Sequence, residues 1–322
     1  VRDRLRALVV TVIAIAALAA AGVDHDTVER RGPAASQSSA VEPLDVAVTT
    51  ELGHTVGGLT ADDFEVLVDG AAVPVQKAIA PPAPLTLIVL FDVSASMSNY
   101  GDIEGEIERW IVPGLRPEDR VRIGGIASRV TLSPKFTSVR KEIINDGHRA
   151  LDFKKSEKYG PSPIWDALAA AVQAIQPEPG RRGIILITDG RATGNTVSAA
   201  DAIARSIVGR VVVEVLSEAR PIILRQSGND YARVRSGVML EELARLTGGM
   251  VLPADPPPFG EIPAPGPILQ RLITDLREMY TLEIAQAGPP GRAHRFEVKV
   301  KRPGVSVRTR SGYRVPAPVP SG

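Results

Sequence analysis

The sequence contains no cysteine. That excludes a disulfide framework, thiolate-bound zinc and cysteine nucleophiles. Histidine is nearly as scarce. His25, His54, His148 and His294 are scattered without metal-ligand spacing, so a histidine-based zinc site is not expected. An excess of charge is missing as well: 38 Lys and Arg stand against 37 Asp and Glu, a net charge of +1. This balance argues against nucleic-acid binding by phosphate neutralisation. There is no internal repeat, and the longest run that is apolar, Thr11 excepted, is Ala7 to Ala21, about 15 residues where a bilayer span needs about 20. What remains is an ordinary globular composition, 44% hydrophobic and 23% charged over 322 residues, enough for one large domain or two modest ones.

The first residues have the anatomy of an export signal. Arg2, Arg4 and Arg6 form a charged start, an apolar run follows, and Ala19-Ala20-Ala21 offers a small-residue cleavage site before Gly22. Residues 1–21 are therefore expected to be a signal peptide, with an uncleaved membrane anchor as the alternative. Cleavage would remove three arginines and Asp3, taking the net charge from +1 to −1. The expected product is secreted or periplasmic, with no transmembrane span after cleavage.

Residues 22–42 are polar, small and without periodicity, and read as a flexible tether. Residues 43–80 alternate apolar and polar between Gly-rich turns. Leu44, Val46 and Val48 mark one strand face, Phe64, Val66 and Val68 another, and Val68-Asp69-Gly70 is a hairpin turn. The Pro-rich Ala80 to Pro84 ends this segment. Residues 84–280 then alternate strands with helices, which predicts an α/β fold with a doubly wound, mostly parallel sheet covered on both faces. Its expected elements include an apolar strand Leu85 to Phe91, a helix with Ile103, Ile107, Trp110 and Ile111 on one face and Asn99 as N-cap, and a helix carrying Ile164, Leu168, Val172 and Ile175. A strand ending in Thr188, an irregular Arg-rich segment and a final helix Ile268 to Tyr280 complete it. Residues 281–316 return to period-two alternation, and 317–322 form a tail. The economical arrangement pairs the two β-rich flanks into one small β domain, because chain termini usually lie close together. The alternative is that each extends the main sheet.

Ligands of an open parallel sheet bind outside the carboxyl ends of its strands. There the pattern places Asp92, Ser94 and Ser96 after one strand, Thr188 and Asp189 after another, and Ser162 and Asp166 in a loop before a helix. These donors are all oxygen, the set preferred by hard divalent cations such as Mg²⁺, with Mn²⁺ or Ca²⁺ as alternatives. Two formal negative charges with neutral hydroxyls between them would leave an open, electrophilic coordination position able to accept a carboxylate from another molecule. That suits recognition rather than turnover. Asp166 lies in a first helical turn, where an acidic residue is favoured anyway, so a structural role is expected for it. Ser98 is expected near a helix start, and Trp110 and Trp165 in the core.

The pattern "DVSASMS", "GPSPIWDA" and "TDG" resembles the metal-ion-dependent adhesion site of von Willebrand factor type A domains, also found in integrin inserted domains. The resemblance covers roughly Pro84 to Tyr280. It implies a Rossmann-like domain whose metal ligands are Asp92, Ser94, Ser96, Ser162 and Asp189, and a protein partner that offers an acidic residue. Ser162 stands where the family pattern has Thr, keeping the hydroxyl and losing the β-methyl that stiffens the rotamer. The flanks "GLTADDFEVLVDG" and "RPGVSVRTRSGYRVP" resemble those of a bacterial group of exported, von Willebrand factor A-related proteins.

Arg220, Arg225, Arg233 and Arg235 leave the same sheet edge and would form either a basic rim for acidic partners or an ordinary solvated loop. Three functions compete: a metal-dependent binding module, a structural envelope protein with a weak or non-functional metal site, and a phosphoryl-transfer hydrolase. The last would want D-x-D where Ser94 stands, and no G-x-S-x-G elbow or strand-end histidine base is present. No catalytic residue is therefore expected.

Overall fold

The computed structural model describes residues 41–97, 103–217, 221–227, 230–235, 238–253, 265–289 and 291–314. The expected signal peptide 1–21, most of the tether, Ser98, Asn99, Arg220 and the tail 317–322 lie outside these residues.

Strands β1 (Val41–Thr50), β2 (Phe64–Val68), β3 (Ala71–Val73) and β4 (Val75–Ile79) precede the α/β unit. β1 begins inside the expected tether because Val41 to Val46 pair with a strand from the other end of the chain. The α/β unit opens with β5 (Leu85–Asp92) and a first helical stretch, α1, made of Ile103–Glu106, a π-turn Ile107–Ile111 and Val112–Gly114. β6 (Arg120–Ile126), β7 (Val130–Leu132), α2 (Arg140–Leu151), the short α3 (Lys155–Lys158) and α4 (Ile164–Ile175) follow. Then come β8 (Arg181–Thr188), α5 (Ala199–Val208), β9 (Val212–Ser217), β10 (Pro221–Ser227), β11 (Asp230–Arg235), α6 (Val238–Thr247), β12 (Val251–Pro253) and α7 (Pro265–Arg277). The chain ends in β13 (Tyr280–Ala285), β14 (Ala293–Val300), β15 (Val305–Thr309) and β16 (Gly312–Arg314).

The fold is mixed α/β. Its central sheet has the order β12-β9-β8-β5-β6-β7, parallel except for β7. β5 sits in the middle and is buried along its whole length. Successive β5 side chains serve opposite layers. Leu87, Val89 and Phe91 meet α1, α2 and α7 through Ile107, Ile143 and Leu272, whereas Ile88 and Leu90 meet α4, α5 and α6 through Leu168, Ile203 and Leu243. A strand apolar on both faces can sit only between two helical layers, which is why an uninterrupted apolar run belongs here. After β5 the chain crosses one face to β6, and after β8 it crosses the other face to β9. The crevice between β5 and β8 is thus the topological switch point of the sheet.

The flanks pair with each other. One antiparallel sheet has the order β15-β1-β13-β4 and the other β16-β14-β2-β3, so each mixes strands from before and after the α/β unit. They share a core of Leu44, Val46, Phe64, Val66, Tyr280, Leu282 and Phe296. The two-residue turn at Asp69-Gly70, with φ of 50° and 85°, closes β2 onto β3 as a primed hairpin requires. The turn at Arg302-Pro303-Gly304 joins strands of different sheets rather than closing a hairpin.

Three sequence expectations need correction. The Arg-rich segment is not irregular: β10 and β11 form an antiparallel hairpin, of which the backbone alone is described for Arg225, Arg233 and Arg235. The final helix ends at Arg277, and Tyr280 opens β13 because its ring packs on Phe64 and its hydroxyl bonds Val56 and Leu59 in the sandwich core. Trp110 is half-buried against Gly266 rather than central; Trp165 is buried as expected. Among the described residues no helix is long and apolar enough to cross a membrane.

The sandwich and the α/β unit meet through buried charge. Arg308 links β15 to Asp275 of α7 at 2.5 Å and approaches Glu214 of β9 at 3.6 Å. Glu214 is fully buried, with Oε2 accepting a bond from the Met250 N–H at 2.7 Å. Burial, reinforced by the nearby charge of Asp275, pushes its pKa well above the ordinary glutamate value of 4.5. The folded state therefore holds this proton more tightly than the unfolded chain, and stability falls as pH rises from about 4.5 through the folded pKa. Glu214→Gln keeps an acceptor for Met250 and removes the titration. Melting curves against pH should show the parent losing stability relative to Glu214→Gln as the pH rises; parallel profiles would contradict this assignment.

Candidate functional site

The end of β5 is held from both sides before any functional group is considered. At its start, Asp119 accepts a bond from the Leu85 N–H at 2.9 Å while pairing with buried Arg277. Parallel pairing to β6 and β8 fixes the rest, with Phe91 level with Ile187. Asp92 is thereby carried into the interior at the switch point, where it is 1% exposed.

Three loops converge on its carboxylate. Oδ1 accepts the Ser94 N–H at 3.0 Å, an Asx-type turn that starts the short 3₁₀ turn Ala95–Met97. Oδ2 accepts the Thr188 hydroxyl at 2.7 Å and the Ser162 hydroxyl at 3.2 Å. Ser94 and Ser96 share a hydroxyl–hydroxyl bond of 3.1 Å, and Ser96 is exposed at the mouth. Asp189 follows Thr188, its Oδ1 accepting the Arg191 N–H at 3.0 Å and its Oδ2 facing Arg191 Nε at 3.2 Å. Gly190, at φ +77°, turns the chain so that its N–H reaches the Thr188 hydroxyl at 3.1 Å. Sequence-expected Asp92, Ser94, Ser96 and Ser162 are thus joined by hydrogen bonds, with Asp189 beside them and its charge felt at Asp92.

The loop after β8 wraps the loop before α4. Ser162 exchanges bonds with Thr193, its N–H reaching Thr193 Oγ1 and its carbonyl accepting the Thr193 N–H, both at 2.9 Å. Asn195 accepts the Trp165 N–H at 2.8 Å, and Asp166 accepts the N–H groups of Thr196 and Val197. Asp166 is therefore a clasp between loops. Thr188, Arg191, Thr193 and Asn195 are absent from the sequence-based ligand set. Thr188 was recognisable as a strand-end hydroxyl, but nothing local marks Arg191.

Electrostatics separate Asp92 from its peers. Among the described buried carboxylates, Glu42, Glu106, Asp119, Asp146, Asp189 and Glu214 each have an arginine within 4.0 Å. Among the described residues, Asp92 is met by hydroxyls and a backbone N–H alone. Burial pushes its pKa up from 3.8, Asp189 adds to the rise, and the Ser94 and Thr188 donors oppose it. Two carboxylates and four hydroxyls form a hard, all-oxygen donor set that fits Mg²⁺ or a similar cation. Among the described residues no group of three or more His, Cys, Asp and Glu side chains is arranged for a metal, so a cation here would depend on hydroxyl ligands.

Thr188→Val keeps the shape and removes the shortest donor to Asp92. Loss of a hydrogen bond to a buried carboxylate should cost about 1.5–3 kcal/mol and raise the Asp92 pKa further. Urea denaturation and carboxyl NMR titration would check both; an unchanged Asp92 titration would contradict the donor role.

No family model matches the chain, and no curated protein matches it. Solved structures do. A von Willebrand factor type A protein from Catenulispora acidiphila is similar over 86% of this chain and 75% of its own, at 13% identity and a TM-score of 0.45. BatB from Bacteroides thetaiotaomicron is similar over 60% of this chain and 98% of its own, at 22% identity and 0.41. Manganese-loaded TRAP protein from Plasmodium vivax is similar over 78% of this chain and 100% of its own, at 15% identity and 0.41. These are likenesses in outline, and the site stands on the residues of this chain.

Proposed function

We propose that the chain is an exported recognition module that captures a protein partner through a divalent cation, Mg²⁺ or alternatively Mn²⁺ or Ca²⁺, held at the end of β5. The observation that supports it most is the buried Asp92 carboxylate with no cationic partner among the described residues, set beside Asp189 and a ring of hydroxyls. Burying an uncompensated carboxylate is costly, and a bound cation removes that cost.

Asp92 would supply charge from the floor of the site, Ser94 and Ser96 hydroxyl oxygens from its wall, Ser162 a third hydroxyl from the α4 loop, and Asp189 the second carboxylate. The bound cation supplies Lewis acidity toward one further oxygen ligand, a carboxylate of the partner. Arg191 has a distinct part: its guanidinium and the cation compete for Asp189. With no positioned general base assigned to the site, the reading is binding rather than turnover.

Thermal denaturation in Mg²⁺ and in EDTA tests this. A cation at about 100 times its Kd stabilises the folded state by about 2.7 kcal/mol, so the midpoint should rise by several degrees. Asp92→Ala should abolish the rise, and Arg191→Ala should enlarge it by freeing Asp189. Because burial raises the Asp92 pKa, protons compete with the cation, and the rise should shrink as pH falls. Identical melting with Mg²⁺ and EDTA would overturn the proposal in favour of a structural envelope protein.

A further inference from the structure

At the opposite end of β8 from Asp189 lies a recess of about 200 Å³ between the sandwich and the α/β unit. Its polar lining is dominated by Arg181, Arg182, Arg210 and Arg310, with Asp45 and Thr281. Arg181 and Arg310 are buried, which is rare for arginine unless it is paired. Arg181 bonds Asp45, Thr281 and the carbonyls of Leu276 and Arg277. Arg310 bonds Glu42 and the carbonyls of Pro43 and Gly312.

The charges do not balance. Four guanidiniums share two carboxylates, Asp45 with Arg181, and Glu42 with both Arg310 and Arg210. Arg182 has no carboxylate partner among the described residues and donates to the Gln176 carbonyl alone, at 2.6 Å. The recess therefore carries a surplus of two positive charges. Burial, with the repulsion of Arg210, lowers the Arg182 pKa, and burial lowers that of Arg310 against the pull of Glu42.

The backbone at Arg210 supplies an independent observation. α5 ends at Val208, Gly209 caps it at φ −71°, and Arg210 takes the left-handed conformation at φ +53°. Helix ends normally assign that conformation to glycine or asparagine. Here a side chain that reaches the recess occupies it, despite the steric penalty on an L-residue. Non-glycine residues held in this region concentrate at ligand-binding sites.

We propose that this recess binds a small dianion of the phosphate class, free phosphate or a phosphate monoester, between the sandwich and the amino ends of β8 and β9. A dianion matches the surplus charge, and forked guanidiniums suit tetrahedral phosphate oxygens. Arg182 and Arg210 are the recognition residues at its mouth; behind it Arg181 joins the α/β unit to the sandwich through Asp45 and Thr281, and Arg310 pairs with Glu42 within the sandwich. Occupancy would tie those halves together.

The test uses the full chain in EDTA, with inorganic phosphate as the probe and chloride at equal ionic strength as reference. Phosphate should raise the melting midpoint saturably, and calorimetry should show one site. Arg182→Gln, which breaks no ion pair, should weaken binding about tenfold or more, and Arg210→Gln likewise. Asp92→Ala should bind phosphate as the parent does, which separates this site from the proposed cation site. Equal melting in chloride, in phosphate and in a phosphate monoester would overturn the proposal, as would unchanged phosphate binding in Arg182→Gln. Malonate binding as tightly as phosphate would overturn the phosphate assignment. A response to a phosphate monoester but not to free phosphate would support the monoester as the ligand.

Discussion

Everything else in the molecule depends on the burial of β5. Eight consecutive buried residues in the middle strand of a two-layered sheet leave no freedom in where that strand ends. The final residue is an aspartate, so the same burial that fixes the strand takes a carboxylate out of water. A carboxylate in that position must be neutralised, hydrogen-bonded or matched by a cation. The protein uses hydroxyls from two other loops, which solvate the charge without cancelling it.

This solution contrasts with how the chain treats its other buried acids. Asp119, Glu42 and Asp189 are each met by arginine, and those pairs fasten structure: the start of β5, the seam between sandwich and sheet through Arg210, and the loop after β8. Such pairs add little net stability but penalise alternative arrangements once formed. The seam is the most heavily charged region. It exists because the sandwich is assembled from both ends of the chain, so that β1, β13 and β15 are pressed against the amino ends of β8 and β9. A module inserted into a β-sandwich in this way has its strand-end site on the face remote from the seam.

Much of this was legible in the sequence. An apolar run ending in D-x-S-x-S, and a second ending in T-D-G, are local patterns, and each names its own strand end. The Leu44-Val46-Val48 and Phe64-Val66-Val68 alternations likewise announce strands with one buried face. What was not legible depends on backbone conformation or on non-local packing. Arg191 gains its place on Asp189 from the turn at Gly190, and Thr188 aims at Asp92 only because β8 lies beside β5 in a set register. Which flank strand pairs with which depends on contacts more than 200 residues apart. The four-arginine recess is the extreme case, since its residues come from β8, the turn after α5 and the chain after β15, and none has a motif. The helix boundary at Tyr280 failed for a related reason: a tyrosine at helical spacing was claimed by the sandwich core.

The proposed cation would lie between Asp92 and its neighbouring hydroxyls. Diffraction from crystals soaked in Mn²⁺, recorded at the manganese absorption edge, tests its presence most directly. One anomalous peak bounded by Asp92, Ser94 and Ser96, with Arg191 displaced from Asp189, is expected. A soaked crystal with no peak there, and with Arg191 still paired to Asp189, would contradict it.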